Sequence, residues 1–460
     1  MIGLTLREIA EAVGGELSGD PAAVVTGAVT VDSRTVARGD LFVALPGERV
    51  DGHDFLGAAG AAGAAGALVA RADRVLPCVV VADPLTALGR LATEVHGRLT
   101  ARGLRTVGIT GSSGKTSTKD LLGQVLAAAA PTVSPPGSYN NDIGMPLTVL
   151  SADEQTRFLV LEMGARGPGH IARLCAVARP QVGMVLNVGS AHLGEFGSAD
   201  GVAQAKGELV EALAPDGTAV LNADDPRVLA MASRTSAEVV TTGRGEDADV
   251  RATDVVLDEQ ARARFTLSAA GGSHPVALQV VGEHQVANAL SAAAAALALG
   301  LSLAQVAEAL SAAEPRSRWR MEVDRRPDGV TVVNDAYNAN PESKRAALAA
   351  LAGLPGERRI AVLGGMAELG PGAAAEHERL GRDAAAAGTD LIVADGAVAA
   401  GRLAGKESVH VPDRTAARKL LDDLLRPGDV VLVKASRSYG LERLAADLLA
   451  ADLLGDGAGA

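Results

Sequence analysis

The sequence predicts an α/β protein of three consecutive domains, and three observations carry that prediction. The chain has 460 residues, room for about three domains at roughly 150 residues each. Two long stretches alternate short apolar runs with helical patterns, as parallel strands covered by helices on both faces do. A segment richer in Pro and charge, "SAAEPRSRWRMEV" at 311–323, separates them and reads as a linker. The expected division is an N-terminal α/β domain (1–102), a central parallel-sheet P-loop domain (103–312) and a C-terminal Rossmann-like doubly wound domain (313–460).

Residues 1–102 mix short strands with an Ala/Gly-rich helix over 55–68 and a strand "ALVA". From Leu104 the alternation begins: "RTVGIT" then "KTSTKDLLGQVLAAA"; "RFLVLEMGA" then "PGHIARLCAVA"; "VGMVLNV" then "ADGVAQAKGELVEAL"; then "GTAVLNAD". A β-rich piece follows over 249–281. Next comes "QVANALSAAAAALALGLSLA", 285–304, uncharged over its whole length. Its bulk is alanine, and Gln285, Asn288 and Gly300 interrupt it, so it reads as two buried helices and not a membrane span. The last set is "GVTVVNDA", "KRAALAALAGL", "RRIAVLGGM", "AAEHERLGRDAAAAG", "DLIVADG", "DVVLVKAS" and "GLERLAADLLA". Two sheets then face each other across a cleft, and ligands belong at the C-terminal ends of their strands.

Composition bounds the partners. A net charge of -12 argues against nucleic acid, whose phosphates want a basic face. Cys78 and Cys175 stand far apart with no metal-like spacing, which suits a reducing compartment. "MIGLTLREIAEAVGG" lacks a basic start followed by an apolar core, so no secretory signal is expected, and the cytoplasm is the expected location. Seven of the 43 basic residues are lysine, and there are only eight asparagines and three tyrosines. Such a bias makes the survivors informative, and all the asparagines and tyrosines but Asn222, in "GTAVLNAD", fall in the stretches that follow.

"GSSGKTS" follows a strand and opens a helix, the context of a phosphate-binding loop. Gly111, Ser112, Ser113, Gly114 and Ser117 bring backbone amides toward the phosphates at a helix N-terminus. Lys115 reaches the outer phosphates and Thr116 ligates Mg²⁺. The loop departs from the long form, because five residues before Gly114 stands Ile109. Asn140 and Asn141 in "SYNNDIGMP" are either turn formers or ligands. Glu162 ends a buried strand, where a carboxylate is costly unless it binds something: Mg²⁺, or Arg166 nearby. His192 in "NVGSAHLGEFGS" stands near the next strand end as a possible second metal ligand. Lys206 lies on an amphipathic helix in a chain that otherwise favours arginine, so a role needing an amine is expected; carbamylation by CO₂ is one. His284 and Asn288 share a helix face, and Arg320 in the linker is placed to meet a phosphate. "VVNDAYNANPES" brings Asp335, Tyr337, Asn338 and Asn340 to a strand end. Lys434, Ser436 and Arg437 in "VLVKASRSYG" make an anion-binding corner, and Glu368 stands at another strand end.

With these residues in view, "GSSGKTSTKD", the paired asparagines, Glu162, "NVGSAHLGEFGS", Lys206 and "NDAYNANPES" resemble the Mur ligases of bacterial peptidoglycan synthesis. "YNANP", "GGMAELG" and "LVKASRS" resemble the branch that joins D-alanyl-D-alanine to UDP-N-acetylmuramoyl-tripeptide. "VDSRTVARGDLFVALPGERVDGHDF" resembles the part that grips the UDP end, which implicates Ser33, Arg34 and His53. The likeness covers about residues 3–450. It implies ATP-dependent amide formation through an acyl phosphate, with no nucleic-acid or membrane partner and a monomeric chain. It implies that Thr116 and Glu162 hold one Mg²⁺, and that His192 and a carbamylated Lys206 hold a second. Asn288 would meet the adenine, Asp335 the ribose and Arg320 the γ-phosphate. Asn140 and Asn141, and Tyr337, Asn338, Asn340, Lys434 and Arg437 on the acceptor side, would contact the substrates. The last domain would swing on the linker near 313–318. Two residues depart from the family pattern: Gly365, where Asp or Glu is usual, and Lys344, where Met is common.

Overall fold

The computed structural model describes residues 1–47, 50–189, 193–367, 369–394 and 407–450. Its strands form three main sheets in succession along the chain, with helices packed against them.

The first sheet has five strands in the order Glu16–Ser18, Cys78–Val80, Gly66–Val69, Leu41–Val43, Val29–Thr30, beside a small antiparallel pair, Leu4–Thr5 with Val24–Val25. The helix expected over 55–68 is shorter, Leu56–Ala61. Gly63 adopts a left-handed conformation (φ 91°) that turns the chain, and Gly66–Val69 is already a buried strand. The long helix Pro84–Thr100 follows. Asp83 caps it by accepting from the Leu85 and Thr86 amides, and Pro84 starts it, as Pro does in a first turn whose N–H groups are spare.

The central sheet has nine strands. From one edge they run Thr132–Val133, Phe158–Glu162, Arg105–Thr110, Val182–Val185, Thr218–Asn222, Glu238–Gly243 and Val250–Leu257, all parallel. Arg262–Ala269 and Gly272–Val281 then add antiparallel hairpin pairing. The β-rich piece after Asp249 is therefore no separate unit: Thr242 pairs with Val250, and the meander extends the same sheet. The apolar 285–304 segment forms Gln285–Ala298 and the start of Leu303–Ala312, with a break at Gly300 (φ 96°). Ala289 and Ala292 to Ala296 are fully buried against the sheet and the helix Lys115–Ala127; alanine there lets helix and sheet approach closely. Among the described residues no helix is long and apolar enough to cross a membrane.

The last sheet has six strands in the order Glu322–Arg325, Thr331–Asn334, Asp429–Lys434, Arg358–Leu363, Leu391–Ala394, Glu407–His410. Only the edge strand Glu322–Arg325 is antiparallel. The linker before it is tied to the central domain. Gln124 donates to the Glu314 carbonyl (2.9 Å) and accepts from the Glu314 amide (3.0 Å). Asp120 accepts from the Ser317 amide (3.1 Å), and Ser317 Oγ accepts from the Gly137 amide (3.0 Å).

Candidate active site

A cavity of about 440 Å³ opens between the C-terminal ends of the central and last sheets. One wall is the loop that follows strand Arg105–Thr110. Gly114 is left-handed (φ 80°), and a side chain there would collide with Asn288, which comes in from helix Gln285–Ala298. Asn187, at the end of the neighbouring strand, shapes the loop: its Oδ1 accepts from the Ser112 amide (3.0 Å) and the Ser113 amide (2.9 Å), and its Nδ2 donates to the Ser113 carbonyl (3.2 Å). The helix Lys115–Ala127 then starts with Lys115 and Thr116 aimed along the cavity, and Ser117 also lines it.

Lys115 donates to the Gly111 carbonyl (2.6 Å). Burial lowers its pKa, Glu162 pulls it back up, and Arg320 lowers it further. Glu162 is buried at its strand end and collects donors. Thr116 Oγ1 donates to Oε2 (2.7 Å), while Ser138 Oγ (2.7 Å) and Asn140 Nδ2 (2.8 Å) donate to Oε1. Burial alone would raise its pKa, but Lys115 and Arg320, with the hydroxyl donors, hold it below the usual carboxylate value. Its hydrogen-bond partners are neutral groups, its charge is balanced by Lys115 and Arg320 nearby, and it makes no ion pair with Arg166. Glu162 and the Thr116 and Ser138 hydroxyls form a set of hard oxygens at the start of helix Lys115–Ala127, which fits Mg²⁺ held by few protein ligands and by substrate phosphates. Among the described residues no group of three or more His, Cys, Asp or Glu is gathered for a metal.

Lys206, on helix Ala199–Glu211, also lines the cavity and is buried. It has no hydrogen-bond or ion partner among the described residues. Burial first, and the nearby Lys115 charge second, push its pKa well below the ordinary lysine value. A lysine shifted in that direction gives up its proton more readily, which favours nucleophilic use of the amine. His192 and Glu368 lie outside the described residues.

The opposite wall belongs to the last domain. Arg320 Nη2 donates to Thr116 Oγ1 (2.7 Å) and its guanidinium lies over the Tyr337 ring (4.2 Å). Asn340 caps helix Pro341–Gly353, accepting from the Ser343 amide, while its Nδ2 donates to the Ser112 carbonyl (3.1 Å). Asp335 is held on both oxygens: Oδ2 pairs with Lys434 (2.5 Å), and Oδ1 accepts from the Met321 amide (3.2 Å). Lys434 also donates to the Asn338 carbonyl (3.1 Å). The anion corner expected at Lys434 is thus filled by the protein's own carboxylate. Ser436 ties the carbonyl of Ala339 to the amide of Ala367.

Other expected residues have local offices. Asn141 accepts from the Ile143 and Gly144 amides at the start of a helix. Asn338 Oδ1 accepts from the Ala339 amide. Arg437 pairs with Glu442 (3.0 Å), stacks on Trp319 (4.2 Å) and does not line the cavity. Ser33, Arg34 and His53 are also away from it. Arg34 forms a bidentate pair with Asp32. Both nitrogens of His53 are used, Nδ1 with Asp51 (2.6 Å) and Nε2 accepting from the Ala70 amide (2.9 Å), so its visible role is to hold the loop and not to reach a ligand. The two departures from the family pattern meet at one place. Lys344 is fully buried with Nζ donating to the Gly364 carbonyl, and the Tyr439 hydroxyl occupies the space that a side chain at Gly365 would need.

Ser138, the Asn187 pin and the neighbouring Gln285, which accepts from Asn288 (2.8 Å), were not assigned these roles from sequence. Ser138 stands two residues before Asn140, and Gln285 directly follows His284; adjacency was their only signal.

Sequence comparison matches this arrangement to described families. The Mur ligase family catalytic domain matches residues 26–96, the Mur ligase middle domain 109–296, and the Mur ligase glutamate ligase domain 319–437. The UDP-N-acetylmuramoyl-tripeptide–D-alanyl-D-alanine ligase of Mycobacterium tuberculosis is 50% identical over 99% of both chains. The ligase of the same description from Escherichia coli is 37% identical over 96% of this chain and 98% of its own. Among solved structures, MurF from Acinetobacter baumannii superposes with a TM-score of 0.89 at 35% identity, covering 97% of this chain and 99% of that one. MurF ligase from Thermotoga maritima in complex with ADP superposes at 0.81 and 30% identity, covering 93% and 98%. The chain belongs to the Mur ligase family.

Proposed function

We infer that the chain is an ATP-dependent ligase that joins D-alanyl-D-alanine to UDP-N-acetylmuramoyl-tripeptide in peptidoglycan precursor synthesis. The observation that carries this reading is the single cavity onto which Lys115, Glu162 and Lys206 of one domain and Arg320 and Asn340 of another converge. Full-length similarity to ligases described with that activity supports it.

An amine cannot displace oxide from a carboxylate, so the acid must first be activated. A carboxylate oxygen of the tripeptide attacks the γ-phosphorus of ATP, the bond to the β,γ-bridging oxygen breaks, and ADP leaves. The deprotonated amine of the dipeptide then attacks the acyl carbon. The tetrahedral adduct collapses to the amide and releases inorganic phosphate carrying one oxygen of the original acid. The residues contribute placement and charge neutralisation. The Ser112 and Ser113 amides are taken by Asn187, so the amides from Gly114 to Ser117, with the Lys115 ammonium, hold the phosphates; Arg320 faces the γ-phosphate, and Asn288 and Asp335 face the adenine and ribose. Glu162 and Thr116 would hold one Mg²⁺, and a carbamylated Lys206 with His192 would hold a second; bound there, the ions neutralise phosphate and carboxylate charge. Ser33, Arg34 and the loop fixed by His53 lie on the UDP side. Because Glu314 and Ser317 are tied to the central domain and Trp319 to the last one, the pivot for domain closure is Arg318. A UDP-linked substrate and ATP support a cytoplasmic reaction.

The test is incubation with ATP, the tripeptide precursor and radiolabelled D-alanyl-D-alanine. The reading expects label in the precursor with one ADP per amide. Incorporation of only a free diamino acid into the dipeptide precursor would instead identify the sister ligase. ATP turnover equally fast without acceptor would identify a nucleotide-driven regulatory module.

A further inference from the structure

Arg320 lies between two non-glycine residues in the left-handed region, Trp319 (φ 60°) and Met321 (φ 53°). Side chains disfavour that conformation, so surrounding contacts must impose it. Those contacts come from the last domain: the Trp319 amide donates to Glu322 (3.1 Å), the Tyr337 amide donates to the Trp319 carbonyl (3.2 Å), and the Met321 amide donates to Asp335 (3.2 Å). The bend sends Arg320 away from its own sheet to Thr116 of the phosphate loop. On the way its guanidinium lies 4.2 Å from the centre of the Tyr337 ring, and its Nε is buried with no hydrogen-bond partner. A ring face makes no claim on hydrogen-bond donors. It can hold a guanidinium flat while leaving the donors on its edge for an anion.

We propose that Tyr337 is a positioning residue for Arg320: its ring is a platform that presents the guanidinium, already oriented, to the phosphoryl group in transit as the last domain closes. This replaces the sequence-based assignment of Tyr337 to the acceptor dipeptide, and it rests on the reading of the cleft as the site of carboxylate phosphorylation.

The test is steady-state kinetics of the full chain with ATP, tripeptide precursor and dipeptide. The variants are Tyr337→Phe, Tyr337→Leu, Arg320→Ala and the double variant. Loss of a cation–π contact predicts a kcat lower by about 5- to 30-fold in Tyr337→Leu, with the dipeptide KM unchanged. Tyr337→Phe keeps the ring face and should recover kcat to within about threefold. In the Arg320→Ala background, Tyr337→Leu should cost less than about twofold, because the two residues act as a unit. A raised dipeptide KM at unchanged kcat in Tyr337→Leu would overturn the proposal in favour of direct acceptor contact, and so would full additivity in the double variant. If Arg320→Ala itself keeps kcat, the reading of the cleft has failed; if Arg320→Ala loses kcat while Tyr337→Leu does not, only the platform has failed. Should Tyr337→Leu not fold, Tyr337→Met takes its place and Tyr337→Trp, with a larger ring face, is expected to retain activity.

Discussion

Two buried lysines face the cleft from opposite domains, and the protein treats them in opposite ways. Lys434 ends a strand of the last sheet with Asp335 at 2.5 Å and a backbone carbonyl as second acceptor. Its charge is matched within its own domain. Lys206 is equally buried, has no partner among the described residues, and its pKa is pushed well below the ordinary lysine value by burial and by the Lys115 charge. A buried ion pair is part of the fabric, and breaking it leaves a stranded charge. A buried lysine with no partner adds nothing evident to stability, and the role proposed for it is therefore chemical.

The largest expected effect is on activity at the unpaired lysine. Lys206→Ala should lower ligation by roughly 10²- to 10³-fold, the range seen when a group stabilising transition-state charge is lost. If Lys206 acts as the proposed carbamate, short carboxylic acids should restore part of the rate by taking its place. A Lys206→Arg enzyme at the wild-type rate would show that any cation serves there. Next comes stability at the paired lysine. Lys434→Met strands Asp335 and should cost about 3–5 kcal/mol in urea unfolding of the last domain. Lys206→Met, which removes an amine without a partner, should unfold within about 1 kcal/mol of wild type. Equal destabilisation by the two would erase the distinction between them. A smaller effect is expected at Glu162, whose partners are neutral hydroxyl and amide donors. Glu162→Gln keeps the shape and removes the charge, and should raise the Mg²⁺ concentration for half-maximal rate by roughly 10-fold. An unchanged Mg²⁺ requirement would assign Glu162 to loop architecture alone.

How much of this was legible in the sequence depended on how local each feature is. The strand–loop–helix turn at Gly114, Lys115 and Thr116 was legible because its parts are contiguous. Glu162 was legible as a costly charge on an apolar run. The role of Asn187 was not, because its partners lie 74 and 75 residues away. Nor was the bond from Asn340 to Ser112, across 228 residues. Asp335 and Lys434 were each seen as ligands of something; nothing in the sequence says that they bind each other across a sheet. Among the strands, Glu322–Arg325 was hidden because an exposed edge strand of four residues carries three charges and no apolar run. Glu407–His410 was hidden by its brevity. Arg262–Ala269 and Gly272–Val281 were visible as β-rich, but their membership of the central sheet follows from a register between Thr242 and Val250 that no periodicity reveals.

The most direct test follows one oxygen atom. The tripeptide precursor is labelled with ¹⁸O in its terminal carboxylate, ligation is run to completion with ATP and D-alanyl-D-alanine, and the released phosphate is weighed by mass spectrometry. Activation by phosphorylation predicts one ¹⁸O in each phosphate formed; phosphate free of label, with amide made in full yield, would contradict it.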